Sequence, residues 1–281
     1  MKAKAKSSQP IPKKLALTVQ FYGMFSARMS KKLALKLFFT PLKFPTPERE
    51  VAYKSGCITN REIVNNKSIT VYQVGIEKQK VLLVHGWSGR ATQFFKIAPA
   101  LKNAGYKVVS FTAPAHGSST DKQTHLHEIT DCIQHLEKSY GPFDAVLGHS
   151  LGATAILNAI NKGMTTKKVI AIGASGFITE IVQEFCKNIG FNQKVETFLL
   201  EYLKENYTED YEQFSFTRLA EKMTIPCLII HDENDKDVDI ANARQNHIAW
   251  INSELMETKG LGHRLILSDE SVINRILTFL S

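Results

Sequence analysis

Three things are missing from this chain of 281 residues. Its four cysteines, Cys57, Cys132, Cys186 and Cys227, form no C-x-x-C pair, so neither a disulfide framework nor a zinc ribbon is encoded and a reducing, cytoplasmic setting is expected. No stretch approaches the roughly 18 consecutive apolar residues that a membrane-crossing helix needs, which argues against integral insertion. Residues 1 to 47 contain no acid at all. They hold ten basic side chains, nine lysines and Arg28, and because ten exceeds the formal net charge of +8, the rest of the chain sits near neutral at −2. The basicity belongs to an arm. The body therefore offers no nucleic-acid face, and no nucleic-acid module accompanies the arm. The apolar part of the start is cut by Thr18 and Gln20 and no A-x-A-like site follows cleanly, so it reads as retained in the mature protein.

What is present is ordinary globular material, 43% hydrophobic and 22% charged, which excludes a disordered chain. Pro41, Pro45 and Pro47 end the arm at residue 47, and the pattern before them predicts two short helices, 13–29 and 31–39. From about residue 55, β-branched runs alternate with helical segments: SITVYQVG, KVLLVHG, YKVVSFTAP, DAVLGHS, KKVIAIGAS, PCLIIHD and ELMETKG as strands, with helices over 91–105 and near 121–139, 151–162, 239–250 and 269–280. Such alternation predicts a mostly parallel sheet covered on both faces. Residues 177 to about 222 break it with a helical pattern rich in Phe, Leu and Tyr, too long for a connection, which predicts a helical cap inserted in a body spanning 48–281.

Gly148-His149-Ser150-Leu151-Gly152 is a G-x-S-x-G string between the end of a strand and the start of a helix. A serine on so sharp a turn exposes its hydroxyl and needs small neighbours for the bend. A serine hydroxyl also needs a base, and the base an orienting carboxylate. His263, in GLGHRLIL before the last helix, is the candidate base. Four acids compete in the loop after CLIIHD. Asp235 is preferred for its reach beyond the strand, Asp232 lies too close to the strand end, and Asp237 is the runner-up. The oxyanion formed on attack would meet the backbone N–H groups of Trp87, in HGWSGR, and of Leu151.

In that order and spacing, HGWSGR, FTAPAHGSS, GHSLGA, ENDKDV and GLGH resemble the α/β-hydrolase superfamily, specifically its bacterial serine-hydrolase members with an HGW start and an APAHG loop. The resemblance covers roughly residues 50 to 281. It implies the α/β-hydrolase fold, a mostly parallel eight-stranded sheet flanked by helices, here with a cap and an extra N-terminal helical arm. It also implies Ser150 as nucleophile, His263 as base, Asp235 as its orienter, Trp87 and Leu151 as oxyanion donors, and neither cofactor nor metal. Two departures stand out. Thr112 replaces a usual Asp, with consequences for loop anchoring, and Asp232 replaces a common glycine, adding charge near Asp235. His116 and His149 read as structural hydrogen-bonders, and His125-x-His127 as no metal pair, since i and i+2 side chains of a helix do not face each other.

The expected activity is hydrolysis of a small-molecule carboxylic ester with a short or medium acyl chain. A thioesterase, an acyltransferase or a non-catalytic binding protein on the same fold are the alternatives. The cap segment carries nine acids against five bases, which disfavours polyanionic substrates such as acyl-CoA. Its aromatics, Phe185 and Phe214 among them, are candidates for an apolar acyl pocket. For the arm, two expectations compete: peripheral contact with an anionic membrane, and packing of its apolar side on the body. The second takes precedence, because so many large apolar residues need a permanent partner.

Overall fold

The computed structural model describes Val19 and residues 26–281. Its centre is one eight-stranded sheet in the order β1-β2-β4-β3-β5-β6-β7-β8. The strands are β1 (Ile58–Val64), β2 (Lys67–Val74), β3 (Lys80–Val84), β4 (Lys107–Thr112), β5 (Ala145–His149), β6 (Lys168–Ile172), β7 (Cys227–Asp232) and β8 (Ser253–Thr258). The β1–β2 and β2–β4 pairs are antiparallel and all others parallel.

The continuous apolar runs of β3, β5 and β7 follow from burial on both faces. Leu82, Val84, Val146 and Ile229 enter one core layer, while their chain neighbours Val81, Leu83, Leu147 and Ile230 enter the other. Helices α4 (Leu126–Tyr140), α5 (Leu151–Asn161) and α8 (Phe216–Ala220) cover the first face. Ile129, Ile133 and Leu136 recur at helical spacing on the buried stripe of α4. The other face is covered by α3 (Ile97–Asn103) and α11 (Glu270–Leu280). Two further helices, α9 (Ile240–Ala249) and the short α10 (Gly262–Leu265), flank β8.

A third cluster lies apart from the sheet. Between β6 and β7 the chain forms α6 (Ile178–Ile189) and α7 (Gln193–Asn206), separated at Gly190, whose φ of 87° ends α6, and at Asn192, whose side chain caps α7. Their Val182, Cys186, Val195, Leu199 and Leu203 pack together with Ala34 of α1 (Ala27–Phe38). The next helix, α2 (Glu48–Ser55), leads into β1.

The structure differs from the sequence reading in four places. Strand β1 was not expected. Its outward residues are exposed, so it lacks an apolar signature, and the signal for it is the two-residue turn Asn65-Asn66, both with positive φ, that pairs it with β2. The helix expected over 91–105 is a 3₁₀ turn, Ala91–Phe94, followed by α3. Pro99 is confined to a helix's first turn, so α3 cannot start earlier than it does. The break expected at residue 30, between the two helices of the arm, falls inside α1, which starts after Ser26, whose Oγ accepts the N–H of Met29. The expected helix 13–29 otherwise lies almost wholly outside the described residues. Helix α4 begins at Leu126 instead of near 121, because residues 121–124 form a loop bound to the arm.

Candidate active site

Ser150 sits where β5 meets α5, at φ 52° and ψ −127°. Such a conformation costs a non-glycine residue about 1–3 kcal/mol and persists only where packing dictates it. Packing does. A Cβ on Gly152 would lie 2.4 Å from the carbonyl oxygen of Val84 and 2.6 Å from that of His85, so α5 presses against the end of β3 at van der Waals limits. A Cβ on Gly86 would come 2.7 Å from Ser150 Cβ, so the strand that leads to Trp87 runs directly beside the serine. The Ser150 N–H is taken by Ile172 O at 2.9 Å. Among the described residues the N–H groups of Trp87 and Leu151 donate to no protein acceptor.

Asp235 and His263 meet. His263 Nδ1 is 2.7 Å from Asp235 Oδ2, and Asp235 Oδ1 accepts the N–H groups of Asp237 (2.8 Å) and Val238 (3.0 Å). Burial works to raise the Asp235 carboxyl, but the hydrogen bond and charge of His263 and the two backbone donors outweigh it and hold it below the ordinary carboxylate range. The bond fixes the proton on Nδ1 and leaves Nε2 as the basic atom. Among the described residues no hydrogen bond joins Ser150 Oγ to His263. Asp237 instead lies 3.6 Å from Arg264.

Asp232 does not simply add charge beside Asp235. It is fully buried and accepts from the N–H groups of Leu261 and Asn234 and the hydroxyl of Thr258, so it anchors the loop that presents His263. Burial raises its pKa, yet these donors and the Gly262 backbone win and lower it. Thr112 serves as an anchor too, its Oγ1 accepting the N–H of Ala91.

The histidine of the G-x-S-x-G string also holds the backbone of His263. His149 Nε2 lies 2.8 Å from the carbonyl oxygen of His263, and the two rings are 4.6 Å apart. Burial first, and the charge of His263 second, lower its pKa to about 3, so the ring is neutral and Nε2 carries the proton that meets the carbonyl. His231 escaped the sequence reading. It is buried, its Nε2 donates to Val238 O at 2.9 Å and stands 3.5 Å from Asp235 Oδ2, the oxygen that also meets His263. Its place at the end of an apolar strand, one residue before an acid, was the available signal.

Glu50 was missed as well. This carboxylate of α2, 1% exposed, receives Arg90 through Nε (2.7 Å) and Nη2 (2.6 Å) and the Thr92 hydroxyl at 2.7 Å. Arg90 ends the HGWSGR segment, so this buried fork ties the loop bearing Trp87 to the first helix of the body.

Above Ser150 is an apolar cavity of about 230 Å³. Ser150, Leu151 and Trp87 form its floor, and Phe185, Tyr207 and Phe214 are among its walls. His125 and His127 both face it, which the i, i+2 argument did not foresee. His125 is the extended N-cap of α4 and not a helical residue, so the two rings stand 5.9 Å apart with Tyr207 against both. Burial lowers both pKa values.

Residues 81–275 match the model of the alpha/beta hydrolase family. A serine hydrolase-like protein of Dictyostelium discoideum is 25% identical over 157 residues, which span 50% of this chain and 44% of that relative. The fold is similar to that of the Pyrococcus furiosus esterase Pf2001 (17% identity, 86% of this chain and 98% of that one, TM-score 0.66) and of a membrane phospholipase A described as a bacterial virulence factor (14% identity, 96% and 98%, TM-score 0.64).

Proposed function

The chain belongs to the alpha/beta hydrolase family, and from that premise we propose that it cleaves carboxylic esters of short or medium acyl chain through an acyl-enzyme on Ser150. The observation that carries this reading is the 2.7 Å pairing of His263 with a buried, ionised Asp235 beside a strained serine whose turn opens into an apolar cavity. His263 Nε2 accepts the Ser150 proton as Oγ attacks the ester carbonyl. The N–H groups of Trp87 and Leu151 stabilise the oxyanion, and losing one such donor typically costs a hundredfold or more in rate. The imidazolium, held by Asp235, then protonates the leaving alkoxide. Water repeats the sequence and releases the acid.

A fluorophosphonate tests the nucleophile. The folded protein is expected to form a stoichiometric adduct that peptide mapping places on Ser150 and that Ser150→Ala abolishes. Labelling that survives the substitution, or a folded wild type that resists the reagent, overturns the reading.

A further inference from the structure

The cavity over Ser150 is closed in part by residues from far outside the stretch that matches the family. Phe38, the last residue of α1, and Phe39 after it both border the cavity, together with Trp87, Leu151 and Phe185. Their rings are set edge to face: Phe38 on Phe39 at 5.2 Å and 83°, and Phe38 on Phe185 of α6 at 5.1 Å and 77°. Phe39 also stands 6.1 Å from Tyr202 of α7. We propose that the N-terminal arm is a structural wall of the acyl site, and that Phe38 and Phe39 set the length of apolar acyl chain the enzyme accepts. The inference rests on the ester-hydrolase reading above.

The arm is fastened on three sides, as a wall must be. Along α1, Ala34 joins the apolar cluster of α6 and α7, and Lys31 Nζ lies 4.7 Å over the Phe198 ring. Just past the aromatic pair, the Leu42 N–H donates to Ser88 Oγ at 2.9 Å, one residue from Trp87. On the third side the Thr124 N–H donates to Phe39 O at 3.0 Å, and Lys43 Nζ to Asp121 O at 2.8 Å. The arm thus touches the helical layer, the Trp87 loop and the loop before α4 at once. An acyl chain entering from Ser150 gains about fourfold in kcat/KM for each methylene buried, a gain that stops where the two phenylalanines begin.

The test is a p-nitrophenyl ester series of graded acyl length, run on the full chain. Phe38→Ala and Phe39→Ala are expected to move the preferred acyl length upward by two or more carbons, and Phe39→Trp to move it downward. Phe198→Ala loosens the α1–α7 seam without enlarging the cavity and is expected to leave the preference where it is. An unchanged preference in both alanine variants and in Phe39→Trp, with native circular dichroism, overturns the proposal. So does a Phe198→Ala shift as large as theirs, since arm docking and not cavity shape would then be responsible. Binding of a butyrate-to-dodecanoate series to Ser150→Ala, followed by calorimetry, separates this from the ester-hydrolase reading. If no ester is turned over and no fluorophosphonate reacts, that reading fails. The wall then stands if adding Phe38→Ala moves the best-bound acid upward by two or more carbons, and falls if the order of affinities is unchanged.

Discussion

At the scale of single residues the site is a balance between strain and restraint. Ser150 holds a backbone conformation that a glycine would adopt freely. Ser150→Gly is therefore expected to be more stable than Ser150→Ala by about 1 kcal/mol, while both lose all turnover. Urea denaturation of the two variants measures this, and equal midpoints would show that the elbow is unstrained. Asp235→Asn is expected to lower kcat by about 10⁴-fold with little change in KM, since the amide leaves His263 in place but stabilises the wrong tautomer. Asp237→Asn, which loses only a distant Arg264, should stay near wild type. Steady-state kinetics decides between the two carboxylates, and a larger loss at Asp237 contradicts the assignment. The candidates Ser150, His263 and Asp235 were legible in the sequence because the proposed chemistry demands particular residue types in a particular chain order. Asp232, His149 and His231 were not, because a buried hydrogen bond to a backbone carbonyl or amide leaves no pattern in a sequence.

At the scale of elements, the best-read pieces were those with a strong period. Strands β3, β5 and β7 carry continuous apolar runs because both faces are covered, and the stripe of α4 repeats at helical spacing. Strand β1, half of an exposed hairpin, gave no such signal. Nor did the role of α2, since nothing in EREVAYKS announces that Glu50 will be buried against Arg90. Removing one member of a buried ion pair leaves the other charge uncompensated. Glu50→Gln is accordingly expected to cost about 3 kcal/mol of stability and to lower kcat more than it raises KM, because the fork braces the loop that carries Trp87. Denaturant titration together with ester kinetics checks both halves. Intact stability would show that Arg90 finds water instead. In the described part of the arm, Ala34, Leu35, Phe38 and Phe39 pack on the layer of α6 and α7, with Arg28, Lys32 and Lys36 left on the exposed side of α1.

For the whole molecule the buried histidines govern the response to acid. Burial lowers the pKa values of His85 and His231, brings His116 to about 4, and with the charge of His263 brings His149 to about 3. In the unfolded chain all four titrate near 6.5. Between those limits the unfolded state binds protons that the native state refuses, so stability is complete above pH 6.5 and falls as pH drops toward 4. His116 and His149 alone are expected to remove about 4 kcal/mol at pH 5 relative to pH 8. Urea midpoints read from the fluorescence of the buried Trp250 report the loss, and a midpoint flat from pH 8 to pH 5 refutes it. The same architecture dictates an order in time. Phe38 is synthesised before α6 and α7, and the cavity that it borders draws its other walls from residues 87 to 214. Contacts of such long sequence separation form late, after the local helices and the first strand pairs. Throughout that interval α1 has no surface to cover, and Ala34, Leu35 and Phe38 wait in water until α6 and α7 exist to receive them.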